Sequence, residues 1–258
     1  TDASFAFYNC SSLQSLNAVG WNIQNITNLT HLFYGCASLT TLNLQNWNSI
    51  KVTNIANTFR HCNNLTYLNV SNWKTNNITD FYYAFSDCVN LKELYMQNWD
   101  FSSATELSYM FNKCSALETL DVSNWNVSKV TRLKYVFYNC KLLTNLDVSN
   151  WDVSSCTTFE SMFRGCSSLT ELNLSNWNPL NAVDLSYIFS ECTGLKSINL
   201  FNWTSRNSLN EYVLSSLKYS FFGCSSLESI DLSKWNVSKI ISFHSMFRGC
   251  SSLKTLDL

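Results

Sequence analysis

The strongest constraint on this chain is a fixed period. Cys10, Cys36, Cys62, Cys88, Cys114, Cys140, Cys166 and Cys192 recur every 26 residues; Cys224 follows after 32, and Cys250 after 26 again. All nine tryptophans obey the same spacing, from Trp21 through Trp125 to Trp235, each 11 residues after a repeat cysteine. A Phe stands three residues before every repeat cysteine, from Phe7 to Phe247, and a Leu three residues after it, from Leu13 to Leu253. Self-similarity at a period between about 20 and 50 residues marks a stacked array in which each unit buries its apolar edge against its neighbours. The expectation is one solenoid over residues 1–258, with about ten 26-residue coils and a six-residue insertion within 204–216.

Six and eight residues after each cysteine come apolar positions flanked by polar ones, as in Leu172, Asn173, Leu174 and Ser175. That alternation predicts a short strand with one buried face. Farther along, Thr27, Thr53, Thr79, Thr105, Thr131, Thr157 and Ser215 each stand two residues before an apolar residue, which is itself four before the Phe. A hydroxyl there suits the N-cap of a helix of one or two turns, although Val183 and Ile241 lack it. Asn9, Gly35, Asp87, Asn139, Gly165, Gly223 and Gly249 precede the cysteine and tolerate a left-handed backbone after such a helix; Lys113 and Glu191 depart from this. The coil is therefore predicted as α/β, a short parallel strand plus a short helix. Crossovers between parallel strands favour right-handed winding. The pattern is already under way near Thr1 and breaks off in mid-coil at Leu258, so further sequence or end-to-end self-association is expected to cover the apolar coil edges.

Leu169, Leu172, Leu174 and Trp177 follow the L-x-x-L-x-L-x-x-N/C pattern of leucine-rich repeats, with Trp in the slot usually held by Asn or Cys. The longer unit of Met162, Phe163, Cys166, Ser167, Ser168, Leu169, Leu172, Leu174, Ser175, Asn176 and Trp177 resembles the BspA-like leucine-rich repeats. These occur in surface proteins of mycoplasmas, lactic-acid bacteria, oral anaerobes and some parasitic protists. The resemblance implies a leucine-rich-repeat solenoid, an extracellular or cell-surface location, and adhesion or binding of host proteins. The Trp slot is a departure, because an indole N–H replaces only the donor half of a side-chain amide.

Composition excludes several classes. A net charge of −1 with 14% charged residues gives no phosphate-neutralising surface, so nucleic acid is not an expected partner. No apolar run is long enough to span a bilayer. Ten of the eleven cysteines are one repeat position, and Cys156 fills a slot held elsewhere by Val52, Ile78 and Val130, so they read as small buried hydrophobes. Parallel side chains on successive coils hold the Cβ atoms too far apart for an unstrained disulfide. No C-x-x-C spacing occurs, and His31, His61 and His244 occupy different repeat positions, so neither a metal nor another cofactor is expected. Asp121, Asp147, Asp231 and Asp257 share the mid-strand slot with Asn43, Asn69, Asn173 and Asn199, which describes a solvated stripe rather than a carboxylate pair. No nucleophile comes with a matched base, so the chain is not expected to be an enzyme.

Packing explains the shared positions, which leaves function to the variable ones. On a strand face where Thr, Ser, Asn and Asp are typical, the residues Tyr67, Lys92, Glu93, Tyr95 and Gln97 in adjacent coils stand out, with Phe201 farther along. Exposed aromatics beside charge suit a protein or glycan partner. The insertion and a tyrosine row at Tyr83, Tyr109, Tyr135, Tyr187 and Tyr219 are further departures from the repeat. The leading expectation is a non-catalytic, surface-displayed recognition or adhesion module. The alternative is a structural unit stacking into filaments or a coat.

Overall fold

A computed structural model, which describes residues 1–200, 203 and 213–257, winds the chain into a β-solenoid. Seven three-residue strands occupy one repeat position of the coil: β1 (Thr41–Asn43), β2 (Tyr67–Asn69), β3 (Glu93–Tyr95), β4 (Glu171–Asn173), β5 (Ser197–Asn199), β6 (Ser229–Asp231) and β7 (Thr255–Asp257), with a single bridge between Thr119 and Asn145 in the gap between β3 and β4. They pair in parallel as β1-β2-β3, β4-β5 and β6-β7. The register follows the sequence period, so Leu42 pairs with Leu68 and Leu68 with Leu94. A second parallel ladder of single bridges runs through Asp2, Asn28, Asn54, Asp80, Glu106, Arg132, Thr158, Asp184, Ser216 and Ser242. Eight of those ten residues have a partner on both sides, which gives about eight full coils between two terminal turns.

The predicted short helix is not there. No helix occurs among the described residues, and a run of turns takes its place. Backbone N–H groups of Leu29, His31, Phe33 and Gly35 donate to the carbonyls of Asn54, Ala56, Thr58 and Arg60 in the next coil. Between these rungs, Leu32 N–H donates to Leu29 and Cys36 N–H to Phe33, closing one tight turn after another. The third residue of each turn has positive φ, +58° at His31 and +71° at Gly35, as a type II turn requires. The same two sites are left-handed in later coils, including Asn57 and His61, Tyr83 and Asp87, and Tyr109 and Lys113. A left-handed residue at every fourth position cannot be accommodated in a right-handed helix. The threonines read as N-caps serve the stacking instead: Thr105 Oγ1 donates to the Thr79 carbonyl at 3.2 Å, and Thr131 Oγ1 to that of Thr105 at 3.3 Å.

The interior is a bundle of columns, one residue type per column, running through one continuous apolar cluster. Phenylalanines stack at 5.4 Å between Phe59 and Phe85, and again between Phe85 and Phe111. Indoles stack at 5.7 Å between Trp47 and Trp73 and at 5.8 Å between Trp73 and Trp99. A buried indole N–H needs an acceptor, and for Trp47, Trp73, Trp151, Trp177 and Trp203 the preceding coil provides one: Trp73 Nε1 donates to the Leu44 carbonyl at 2.8 Å, and Trp151 Nε1 to that of Val122 at 3.0 Å. All eleven cysteines are free thiols, nine of them buried. The repeat thiols donate to the phenylalanine carbonyl of the coil before, as Cys62 Sγ does to Phe33 at 3.2 Å. Burial pushes the thiols of Cys36, Cys140 and Cys192 up to about 12.

Candidate interaction surface

The parallel register assembles the surface. Leu68 and Leu94 point into the core, so Tyr67, Asn69, Glu93 and Tyr95 project from the other face of β2 and β3. Tyr67 pairs with Glu93, and Asn69 with Tyr95, which makes the two tyrosines diagonal neighbours. Their ring centroids lie 5.5 Å apart, tilted by 47°. Tyr95 donates its hydroxyl to Glu93 Oε2 at 3.0 Å, and this bond to a carboxylate raises the Tyr95 phenol above its ordinary pKa. Lys92 is exposed at the entry to β3, where its N–H donates to the Thr66 carbonyl. Gln97 lies beyond the exit, bonded through its side-chain oxygen to the Ser71 hydroxyl. Five of the six sequence-predicted residues are therefore contiguous on two neighbouring coils. Phe201 lies outside the described residues, as does most of the predicted insertion.

Immediately beside this patch the strand side opens. Counterparts of Trp125 stack on the indole of the preceding coil, but Trp125 has Phe101 against it, with centroids 3.9 Å apart. Phe101 is buried and also touches Trp99 at 6.0 Å, so it sits as a wedge between the two indoles. The ladder that gave Val70 N–H to Tyr95 and Asn72 N–H to Gln97 stops here, leaving the N–H groups of Met96 and Asn98 without a protein acceptor, and it does not resume at Val122, Asn124 or Val148 in the coils that follow. A chain of side-chain amides, Asn72 to Asn46 at 2.8 Å and Asn98 to Asn72 at 2.7 Å, also ends, and Asn124 makes no such bond. The resulting cleft of about 180 Å³ is lined by Leu94, Met96, Gln97, Asn98, Trp99, Leu120, Asp121, Asn124 and Trp125.

The turn side carries the tyrosine row. Tyr83 stacks on Tyr109 at 4.3 Å and Tyr109 on Tyr135 at 4.7 Å, while Arg60 lies 3.9 Å over Tyr83. Asp87, nearly buried, sits among Arg60, His61 and Lys113 at 3.7, 3.8 and 3.5 Å. These rings are half-buried, and burial raises the Tyr109 and Tyr135 phenols. Among the described residues no group of His, Cys, Asp and Glu could hold a metal ion, and no helix is long and apolar enough to cross a membrane.

A family model described as "Mycoplasma protein of unknown function, DUF285" matches residues 1–120, 105–216 and 207–257. The chain belongs to the DUF285 family. No curated protein matches it. Among solved structures, a leucine-rich repeat protein from Bacteroides ovatus is 20% identical with a TM-score of 0.46, over 99% of this chain and 75% of that one. A leucine-rich repeat protein from Eubacterium ventriosum is 20% identical with a TM-score of 0.45, over 84% of this chain and 64% of that one. A leucine-rich cell surface protein from Faecalibacterium prausnitzii is 17% identical with a TM-score of 0.37, over 98% and 68%.

In this DUF285 chain, sequence reasoning found the tyrosine pair and missed the wedge. The signal was present: thirteen residues after the repeat cysteine stand Ile23, Ser49, Thr75, Val127, Val153, Pro179 and Val237, and Phe101 is the one aromatic in that slot.

Proposed function

We propose that this DUF285 solenoid is a non-catalytic recognition module, displayed at a cell surface, that binds a protein or glycan partner through the face of β2 and β3. The observation that carries the reading is the contact between Tyr67 and Tyr95, with Glu93 joining them, where the outward residues of the other strands are Thr, Ser, Asn, Asp and Glu. Aromatic rings held at fixed spacing beside a charge act as anchors because they bring large contact area at little cost in side-chain freedom. Lys92 and Gln97 form the rim. The resemblance of the repeats to BspA-like ones supports adhesion and the extracellular location; no catalytic role is assigned to any residue.

The test is a double substitution, Tyr67→Ala with Tyr95→Ala, assayed on arrays of host extracellular proteins and of glycans. Binding at least about tenfold weaker at unchanged thermal stability is expected, the loss of one or two anchors. Unchanged binding removes this face from the function.

A further inference from the structure

The cleft behind Phe101 differs chemically from the tyrosine patch that it adjoins. Its first lip, from the coil of β3, offers the unbonded N–H groups of Met96 and Asn98 and the free side-chain oxygen of Asn98. The second lip, from the next coil, offers the Asp121 carbonyl, the Asn124 carboxamide, and Nε1 of Trp125. Trp125 is only 8% exposed, and among the described residues its indole N–H, like that of Trp235, has no hydrogen-bond acceptor, whereas those of Trp47, Trp73, Trp99, Trp151, Trp177 and Trp203 each have a carbonyl. Leu94, Met96, Leu120 and Trp99 supply apolar wall between these polar groups. Trp99 keeps Trp73 on one side at 5.8 Å, while Phe101 on the other is tilted by 42° and does not cover the indole as a stacked tryptophan would.

We propose that this cleft is a subsite for one neutral pyranose ring, the terminal residue of a glycan. The inference rests on the recognition-module reading and names the ligand class at its edge. Size comes first: a cavity near 150 Å³ accepts a single six-membered ring, and this one measures about 180 Å³. Chemistry comes second. A pyranose has C–H faces that lie on apolar wall and hydroxyls that both donate and accept, so it answers mixed donors and acceptors on two lips at once. An aromatic or aliphatic side chain from a protein partner would fill the volume but leave the Trp125 indole N–H and the Met96 and Asn98 amides buried without partners, which is unfavourable. Charge comes third: Asp121 lines the cleft and Glu93 stands on the adjoining strand, so an acidic sugar would be repelled.

The wedge makes the test specific. Phe101→Val installs the residue found at Val127 and Val153, removing the wedge so that Trp125 can close on Trp99. Asn124→Ala deletes one polar contact at the rim without touching the core. The probes are the methyl glycosides of glucose, galactose, mannose and N-acetylglucosamine, read by saturation-transfer NMR and by tryptophan emission. N-acetyltyrosine amide stands in for a peptide side chain. The expected result is saturation transfer to at least one glycoside, weakened at least about tenfold by either substitution and unchanged by Tyr67→Ala with Tyr95→Ala. No transfer to any glycoside overturns the proposal, as does transfer indifferent to Phe101→Val, or binding of N-acetyltyrosine amide alone. A negative glycoside panel with array binding that depends on the tyrosines sinks the cleft and leaves the module reading standing. A positive panel with tyrosine-independent array binding does the reverse.

Discussion

The boundary between the coil of Cys88 and the coil of Cys114 is closed on one side of the solenoid and open on the other. On the turn side Phe85 N–H reaches the Met110 carbonyl at 2.9 Å, Asp87 N–H reaches Asn112 at 2.8 Å, and Phe85 and Phe111 stack within 4° of parallel. On the strand side Met96 and Asn98 have lost their rungs, and Phe101 holds Trp99 and Trp125 apart. The corner backbone changes there too: Asn46, Asn72 and Asn98 have positive φ, and Asn124 does not. In a repeat array stability is a sum of units and nearest-neighbour interfaces. One side of an interface can therefore be loosened for ligand chemistry while the other side keeps the coils joined.

The largest expected effect attacks the closed side through its thiols, whose column crosses the boundary unbroken from Cys88 through Cys114 to Cys140. Burial holds Cys140 and Cys192 up at about 12, whereas an unfolded thiol ionises near the ordinary value of 9.0. The folded pKa is raised, so the stabilisation is fully present below about pH 9 and is lost as pH rises toward 12. Each such thiol then costs about 1.4 kcal/mol per pH unit in that window. Urea unfolding at pH 8, 9 and 10 should show a steep fall, made shallower by Cys140→Ala with Cys192→Ala. An identical slope in that variant would mean that the thiols do not carry the alkaline sensitivity.

Next come two phenylalanines either side of the same opening. Phe111 is fully buried in an unbroken column, and Phe111→Ala should cost about 3–5 kcal/mol in chemical denaturation. Phe101 is equally buried, yet Phe101→Val should cost about 1 kcal/mol or less, because closure of Trp125 onto Trp99 offsets the lost ring. A Phe101→Val loss as large as that of Phe111→Ala would show that the wedge is ordinary core and that the strand side does not close without it.

How much of this was legible in the sequence differs between the same two sides. The Phe, Cys and Trp columns were readable because one residue type recurs at one interval, and a stacked neighbour is the natural place to bury it. The helix was misread because the evidence against it is not local. Thr79 followed by Phe81 and Phe85 fits a capped helix, but the N–H groups of Phe81, Tyr83 and Phe85 bond carbonyls 25 residues onward, beyond any helical window. Nor did residue preference betray the left-handed sites, since Tyr83, Tyr109 and Tyr135 take φ of 56–62° without being residues that favour it. Their stacked rings, with Arg60 over Tyr83, are what hold them there. The tyrosine pair was legible because strand alternation fixes facing, whereas the cleft depended on one aromatic in a slot of small and aliphatic residues.

The smallest and most local effect is in hydrogen exchange, where the comparison can be made amide by amide on successive coils. Val70 and Asn72 N–H groups are bonded to Tyr95 and Gln97 at 2.9 Å, and Leu44 N–H to Asn69 at 2.8 Å. Met96 and Asn98 occupy the same two repeat positions one coil later and have no protein acceptor. Exchange protection follows the free energy of opening, and an amide already unbonded at the lip of a cleft needs no coil separation to meet water. Met96 and Asn98 should exchange at least about tenfold faster than Val70 and Asn72, a difference of about 1.4 kcal/mol. Phe101→Val should leave it in place, since Val122 and Asn124 also have no protein acceptor although Val127 fills the wedge slot and Trp125 stacks on Trp151. Equal protection at all four amides in the parent chain would mean that the strand ladder continues across this boundary in solution, and that the two sides of the coil differ in their side chains alone.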